Sequence, residues 1–222
     1  VYVDDAVVFD NFNFGDTQDL SALAGETLVN LQVKLAGTDT VAIDAGDVAL
    51  PASGNYSIIA NLDAAGTPTV TVFENDTSAI AAGEGRLQVR HVAAAPAVDV
   101  KANGDVAFPA LSNPNEAKAD LPAATYSVEV VPAGEADPVV IGPADIAVND
   151  GDSLIVYAVG SLEAGSLTVL TESITGLGQT PTEVPSGNSP VESGFPMAAV
   201  AGMALIASLA AAGGLTLARR SN

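Results

Sequence analysis

Leu121-Pro122-Ala123-Ala124-Thr125-Tyr126-Ser127-Val128-Glu129-Val130-Val131 is the stretch that sets the fold class. Tyr126, Val128 and Val130 alternate with Ser127 and Glu129, so an extended chain puts apolar side chains on one face and polar ones on the other. The same texture runs through residues 1–175. Runs of Val, Ile, Thr and Leu are broken by Gly, Pro, Asn and Asp roughly every 8–12 residues, the spacing of an all-β sandwich. Strands are expected at Val1–Val3, Val7–Phe9, Thr27–Lys34, Asn55–Leu62, Thr69–Phe73, Leu87–Val92, Val98–Ala102, Thr125–Val131, Ser153–Val159 and Ser166–Leu170. No stretch before Phe195 carries a helical period with caps.

The chain resembles itself. Val1-Tyr2-Val3-Asp4-Asp5 followed by Phe9 matches Val100-Lys101-Ala102-Asn103-Gly104 followed by Phe108. Leu23-Ala24-Gly25-Glu26-Thr27 matches Leu121-Pro122-Ala123-Ala124-Thr125, and Thr69–Phe73 matches Ser166–Leu170. The near-constant offset predicts two tandem immunoglobulin-like β-sandwich modules, at 1–76 and 85–175, joined by a linker at 77–84. The second opens with Arg86-Leu87-Gln88-Val89-Arg90-His91-Val92, which has no counterpart before Val1. The chain also begins without Met or an export leader. Module one is therefore expected to lack its N-terminal strand and to show an unpaired strand edge.

Val89-Arg90-His91-Val92, then Pro96-Ala97-Val98-Asp99-Val100 and Asn103-Gly104, resembles the signature of the domain of unknown function 4397 family. Leu121 to Val128 is similar to its later strand entry, and Pro132-Ala133-Gly134 to the turn that follows. The likeness covers Arg86 to about Glu172, and more loosely Val1 to Asp76. A Ser-Pro-Asp step of the family pattern is reduced here to Ala93-Ala94-Ala95, so the acid of that step is absent. The resemblance implies an exported, often repeated bacterial β-module and supplies no activity.

After Ile174 the texture changes. Residues 176–194 are dominated by Pro, Gly, Ser and Thr and are expected to be a disordered spacer. Phe195 to Ala218 then runs without a charge between Glu192 and Arg219. A helix of about 24 residues rises far enough to cross a hydrocarbon core of about 30 Å. The expectation is one transmembrane helix at 195–218 with a cytoplasmic tail at 219–222. The pair Arg219-Arg220 orients the rest outward, at the cell surface. No Leu-Pro-x-Thr-Gly motif precedes the run, so retention in the membrane is favoured over attachment to a cell wall.

Composition removes several function classes. Seven basic residues against 27 acidic ones give a formal net charge of -20, which disfavours nucleic acid as a partner. The absence of Cys removes thiolate chemistry and disulfides. His91 is the sole histidine and falls inside a predicted strand, where a packing role outweighs a catalytic one. Asn149-Asp150-Gly151-Asp152, Asp44-Ala45-Gly46-Asp47 and Asp4-Asp5 invite a calcium reading, but tight turns need the same residues. Asn55-Tyr56-Ser57 and Asn75-Asp76-Thr77 match the N-glycosylation acceptor. No catalytic, cofactor-binding or metal-ligating set is expected, and no cofactor. The expected function is a membrane-anchored cell-surface protein with non-catalytic modules and a structural, adhesive or ligand-presenting role. Its partners would be the lipid bilayer, through Phe195–Ala218, and an extracellular protein or glycan. The alternative is a small-ligand or calcium-binding module that uses the sandwich end loops.

Overall fold

The computed structural model describes residues 1–178 and a separate strand at 203–207. The strands are β1 (Tyr2–Val3), β2 (Ala6–Val7), β3 (Thr17–Asp19), β4 (Thr27–Lys34), β5 (Val41–Ala49), β6 (Tyr56–Leu62), β7 (Pro68–Glu74), β8 (Glu84–His91), β9 (Val98–Ala102), β10 (Asp105–Leu111), β11 (Glu116–Pro122), β12 (Ala124–Pro132), β13 (Ile141–Val148), β14 (Ser153–Val159), β15 (Thr168–Ile174) and β16 (Met203–Ala207). Among the described residues the protein is all-β, with a single 3₁₀ turn at Ser21–Leu23 and no helix long and apolar enough to cross a membrane.

Four four-stranded sheets form, ordered β2-β1-β4-β5, β3-β16-β6-β7, β11-β8-β14-β15 and β10-β9-β12-β13. The last two close on a core of Leu87, Val89 and Val156 from one sheet against Val98, Val100, Phe108, Leu111 and Val130 from the other. The first two enclose Val1, Leu28 and Leu31 against Ile58. A third cluster lies between these two sandwiches. Ile59 of β6 meets Val92, Ile155, Tyr157 and Val159, with Phe73, Leu170 and Ile174 around it. Among the described residues the molecule is thus four sheets deep, and β6, β8 and β14 are buried on both faces.

Strand alternation explains how one strand serves two layers. On β8, Leu87 and Val89 enter the core of the second sandwich, while Arg86, Gln88 and Arg90 face the first. On β14, Val156 points inward, and Ile155, Tyr157 and Val159 point to the neighbouring sandwich.

The strand order departs from the immunoglobulin expectation. An immunoglobulin domain sets strands A, B, E and D against C, F and G. Here the first strand of the second sandwich, β8, is central. It pairs in parallel with β14 and antiparallel with β11. The first sandwich repeats this order and these senses, with β16 where β8 would stand: β16 is parallel to β6 and antiparallel to β3. The expected unpaired edge in module one is therefore corrected, because that position is interior and filled. Met203–Ala207, inside the stretch expected to be a transmembrane helix, is a strand. The rest of 195–218, the tail at 219–222 and residues 179–194 of the spacer lie outside the described residues.

Turns follow residue chemistry. Asp4-Asp5 (φ 48° and 61°) and Asn103-Gly104 (φ 52° and 92°) are two-residue hairpin loops between β1 and β2 and between β9 and β10. Positive φ at both central positions is the type I′ condition, which matches the twist of the flanking strands.

Candidate functional site: the polar seam between the sandwiches

Arg90 lies at the centre of the interface between sandwiches and is fully buried. Its Nε donates to Glu116 Oε2 at 2.6 Å, and its Nη1 to the Tyr157 hydroxyl at 2.9 Å. Its Nη2 donates to Asn75 Oδ1 at 2.7 Å and to the Glu74 carbonyl at 3.3 Å. The guanidinium carbon sits 4.5 Å from the Phe73 ring centre and 5.3 Å from that of Tyr157. A buried guanidinium is tolerated only when its charge is paired and its nitrogens are engaged, and here Glu116 answers the charge and each of the three nitrogens donates.

The network continues across the interface. The Tyr157 hydroxyl donates to Glu172 Oε2 at 2.8 Å, and Ser57 of the first sandwich donates to the same oxygen at 3.2 Å. Asn75 Nδ2 donates to Ser57 Oγ at 3.0 Å and to Asn55 Oδ1 at 2.6 Å. Burial pushes the Tyr157 phenol well above its ordinary range, so it stays protonated and able to donate.

A second ionic group lies at one end of the seam. Arg86 makes a bidentate pair with Asp120, Nε to Oδ1 at 2.7 Å and Nη2 to Oδ2 at 2.9 Å. Its Nη1 reaches Asp76 Oδ1 at 2.9 Å, and Lys118 Nζ reaches Asp76 Oδ2 at 2.7 Å. The Lys118 ammonium and the Ser78 hydroxyl hold the Asp76 carboxyl far below the usual carboxylate range. Gln88 completes the row, donating to Ser153 Oγ at 2.7 Å.

The other motif residues fix local backbone. His91 is buried on the opposite face of β8, where its Nδ1 accepts from the Ala93 amide at 3.4 Å. Nε2 therefore carries the proton and donates to the Pro96 carbonyl at 3.1 Å. Burial lowers the His91 pKa and keeps the ring neutral. Asp99 accepts from the Ala110 amide at 2.7 Å and the Gly134 amide at 2.9 Å. It thereby clamps the irregular stretch of β10, where Ala110 sits at φ 50°, to the turn after β12. Those amide bonds lower its pKa.

The acidic turns are engaged in the same way. Asp150 Oδ1 accepts from the Gly83 amide at 2.8 Å, Asp47 Oδ1 from the Asn30 amide at 2.9 Å, and Asp44 Oδ1 from the Gly46 amide at 3.2 Å. Among the described residues no group of three or more His, Cys, Asp or Glu is disposed to hold a metal ion. Both asparagines of the acceptor triplets lie in the seam, and Asn75 is 3% exposed.

The cavity inside the second sandwich, of about 50 Å³, is lined by Val89, His91, Val98, Val100 and other apolar side chains. Ligand pockets are on the order of 300–1,000 Å³. Two larger open grooves flank the seam. One, of about 500 Å³, runs along Glu74–Ser78 and Lys118, and the other, of about 570 Å³, lies beside Asp63, Thr69, Thr71 and Asn113.

Arg90, His91 and Asp99 stand out in the sequence as parts of a motif, whereas the seam does not. Its trace in the sequence is the facing polar alternation Arg86-x-Gln88-x-Arg90 and Glu116-x-Lys118-x-Asp120. That pattern reads equally well as a solvated sheet face.

A protein built of stacked β-sandwiches, with its motif side chains turned into the packing, is the class these features define. Residues 1–101 match the model of the family described as Domain of unknown function (DUF4397). The match runs through the first sandwich and ends on β9, just past Arg90, His91 and Asp99. No curated protein and no solved structure matches the chain.

Proposed function

We propose that the chain is a membrane-anchored cell-surface protein whose two sandwiches, tandem copies of one module, act as a single stiff non-catalytic unit. Its role is structural, adhesive or ligand-presenting at the cell envelope. The observation that carries this reading is the seam. Arg86, Arg90 and Lys118, three of seven basic residues in a chain of net charge -20, are tied up in joining the sandwiches. Stacking through a buried ionic and aromatic network fixes relative orientation, which suits a spacer or display element. The apolar stretch Phe195–Ala218 followed by Arg219-Arg220 supports a lipid anchor with the sandwiches outside.

The absence of native Cys makes topology directly testable. In cells that make the full chain, single variants Glu163→Cys and Ser221→Cys are treated with a membrane-impermeant maleimide. Labelling of position 163 on intact cells, with 221 labelled only after lysis, fits the proposal. Recovery of the chain in the soluble fraction, or labelling of both sites only after lysis, removes it.

A further inference from the structure

The first sandwich is completed by a strand that its contiguous residues do not supply. β6 pairs along one edge with β7, Tyr56 to Leu62 against Glu74 to Pro68. Along its other edge it faces β16, with Tyr56 opposite Met203 and Ile59 opposite Ile206. β3 closes the far side of β16, with Gln18 opposite Leu205. Neighbouring strands lie about 4.8 Å apart, so removing β16 would leave a gap one strand wide between β3 and β6. Ser57, Ile58 and Ile59 are wholly buried, between the core of their own sandwich on one face and the seam on the other. Backbone amides and carbonyls in the interior of a sheet need partners, and along this edge of β6 the facing strand is β16. β8 meets the same requirement in the second sandwich, with the same parallel and antiparallel neighbours.

We propose that the gap between β3 and β6 is a strand-acceptor site whose occupant is Met203–Ala207 of the same chain. The mode is β-strand addition in the interior of a sheet, where main-chain hydrogen bonds supply most of the affinity. Residues 203–207 also lie within the stretch that the proposed function assigns to lipid. For that consequence alone the inference rests on the surface-anchor reading: a segment held as a strand between β3 and β6 is not a transmembrane helix at the same time. Completing the first sandwich and inserting into the bilayer therefore exclude one another.

The test uses the full chain with the pair Gln18→Cys and Leu205→Cys, the only two cysteines present. In lipid-free buffer under mild oxidation the expected result is a disulfide within the monomer. Its absence overturns the proposal, and disulfide-linked dimers overturn it in favour of a second copy as donor. Leu205→Pro in the full chain provides an independent readout, since proline removes the amide donor at the pairing position. Loss of hydrogen-exchange protection at Ser57–Ile59, with Ile155–Tyr157 less affected, is expected; unchanged protection at Ser57–Ile59 overturns the proposal. On addition of phospholipid vesicles, bound protein should lose the disulfide yield. Bound protein that keeps the full yield overturns the exclusion. Failure to bind vesicles, with the disulfide intact, removes the anchor reading and leaves the acceptor site standing.

Discussion

Arg90 Nη1 donates to the Tyr157 hydroxyl across 2.9 Å, and that hydroxyl in turn donates to Glu172 Oε2 at 2.8 Å. The bond joins β8 and β14, which pair in parallel with Tyr157 beside Arg90. Through Asn75, Phe73 and Ser57 it also reaches the first sandwich. Side chains that a motif comparison would mark as candidates for chemistry are here the fastening between two domains.

Replacing Arg90 should be the most damaging single change in the seam. Arg90→Met leaves the Glu116 carboxylate without its guanidinium partner and frees the Asn75 and Tyr157 acceptors. Breaking a buried pair from one side costs about 3–5 kcal/mol. For a body of this size that is a fall in Tm of roughly 10 °C, read by calorimetry. The double variant Arg90→Met with Glu116→Leu should recover part of the loss, because the stranded charge is gone. A single variant within about 1 kcal/mol of the parent would contradict the role given to Arg90.

Tyr157→Phe keeps the ring beside Arg90 and removes only the hydroxyl between the guanidinium and Glu172. The expected cost is about 1–2 kcal/mol, measured as a shift in urea midpoint at unchanged slope. No shift would mean that the hydroxyl is replaceable by water.

His91 makes stability depend on pH near neutrality. Its folded pKa is lowered from the ordinary 6.5 by burial. The fold therefore binds the neutral ring preferentially, and this contribution is complete above about pH 6.5 and is lost as pH falls below it. The urea midpoint should drop between pH 7 and 5, and His91→Gln should flatten that slope. An identical slope in the variant would contradict the assignment.

Asp76 acts in a lower window. Its folded pKa lies well below the ordinary 3.8, so its contribution is complete above about pH 3.8 and is lost progressively as pH falls from there toward the folded value. Below about pH 4 the Arg86–Asp76–Lys118 end of the seam should open first. Hydrogen exchange at Asp76–Ser78 should then rise ahead of exchange in the sandwich cores, and simultaneous exchange would count against this order.

The sequence made the interior strands legible. β4, β9 and β14 lie at the predicted residues, because buried strands are dense in Val, Ile and Leu. The strands that escaped prediction within residues 1–178, β3, β5, β10, β11 and β13, are all sheet edges. Edges carry the residues that obscure a strand pattern: Gly46 and two aspartates in β5, Pro109 in β10, Lys118 flanked by acids in β11, and Gly142-Pro143 in β13. Turn residues are legible where they recur with the strands: Asp4-Asp5 and Asn103-Gly104, aligned in the sequence, both form two-residue hairpin loops. The seam was not, since nothing local to Arg86-Leu87-Gln88-Val89-Arg90 states whether water or another sheet covers the polar face. The place of Met203–Ala207 was hidden for a related reason. An apolar run suits lipid as a helix and a sheet interior as a strand, and only the gap between β3 and β6 distinguishes them.

The central claim is that the seam makes the two sandwiches one cooperative body. Hydrogen exchange of the full chain across a urea series tests it most directly, following Ile58–Ala60 in the first sandwich and Val156–Ala158 in the second. The account predicts that both segments lose protection at one shared midpoint, and that Arg90→Met splits the transition in two. Separate midpoints in the unaltered chain would contradict it.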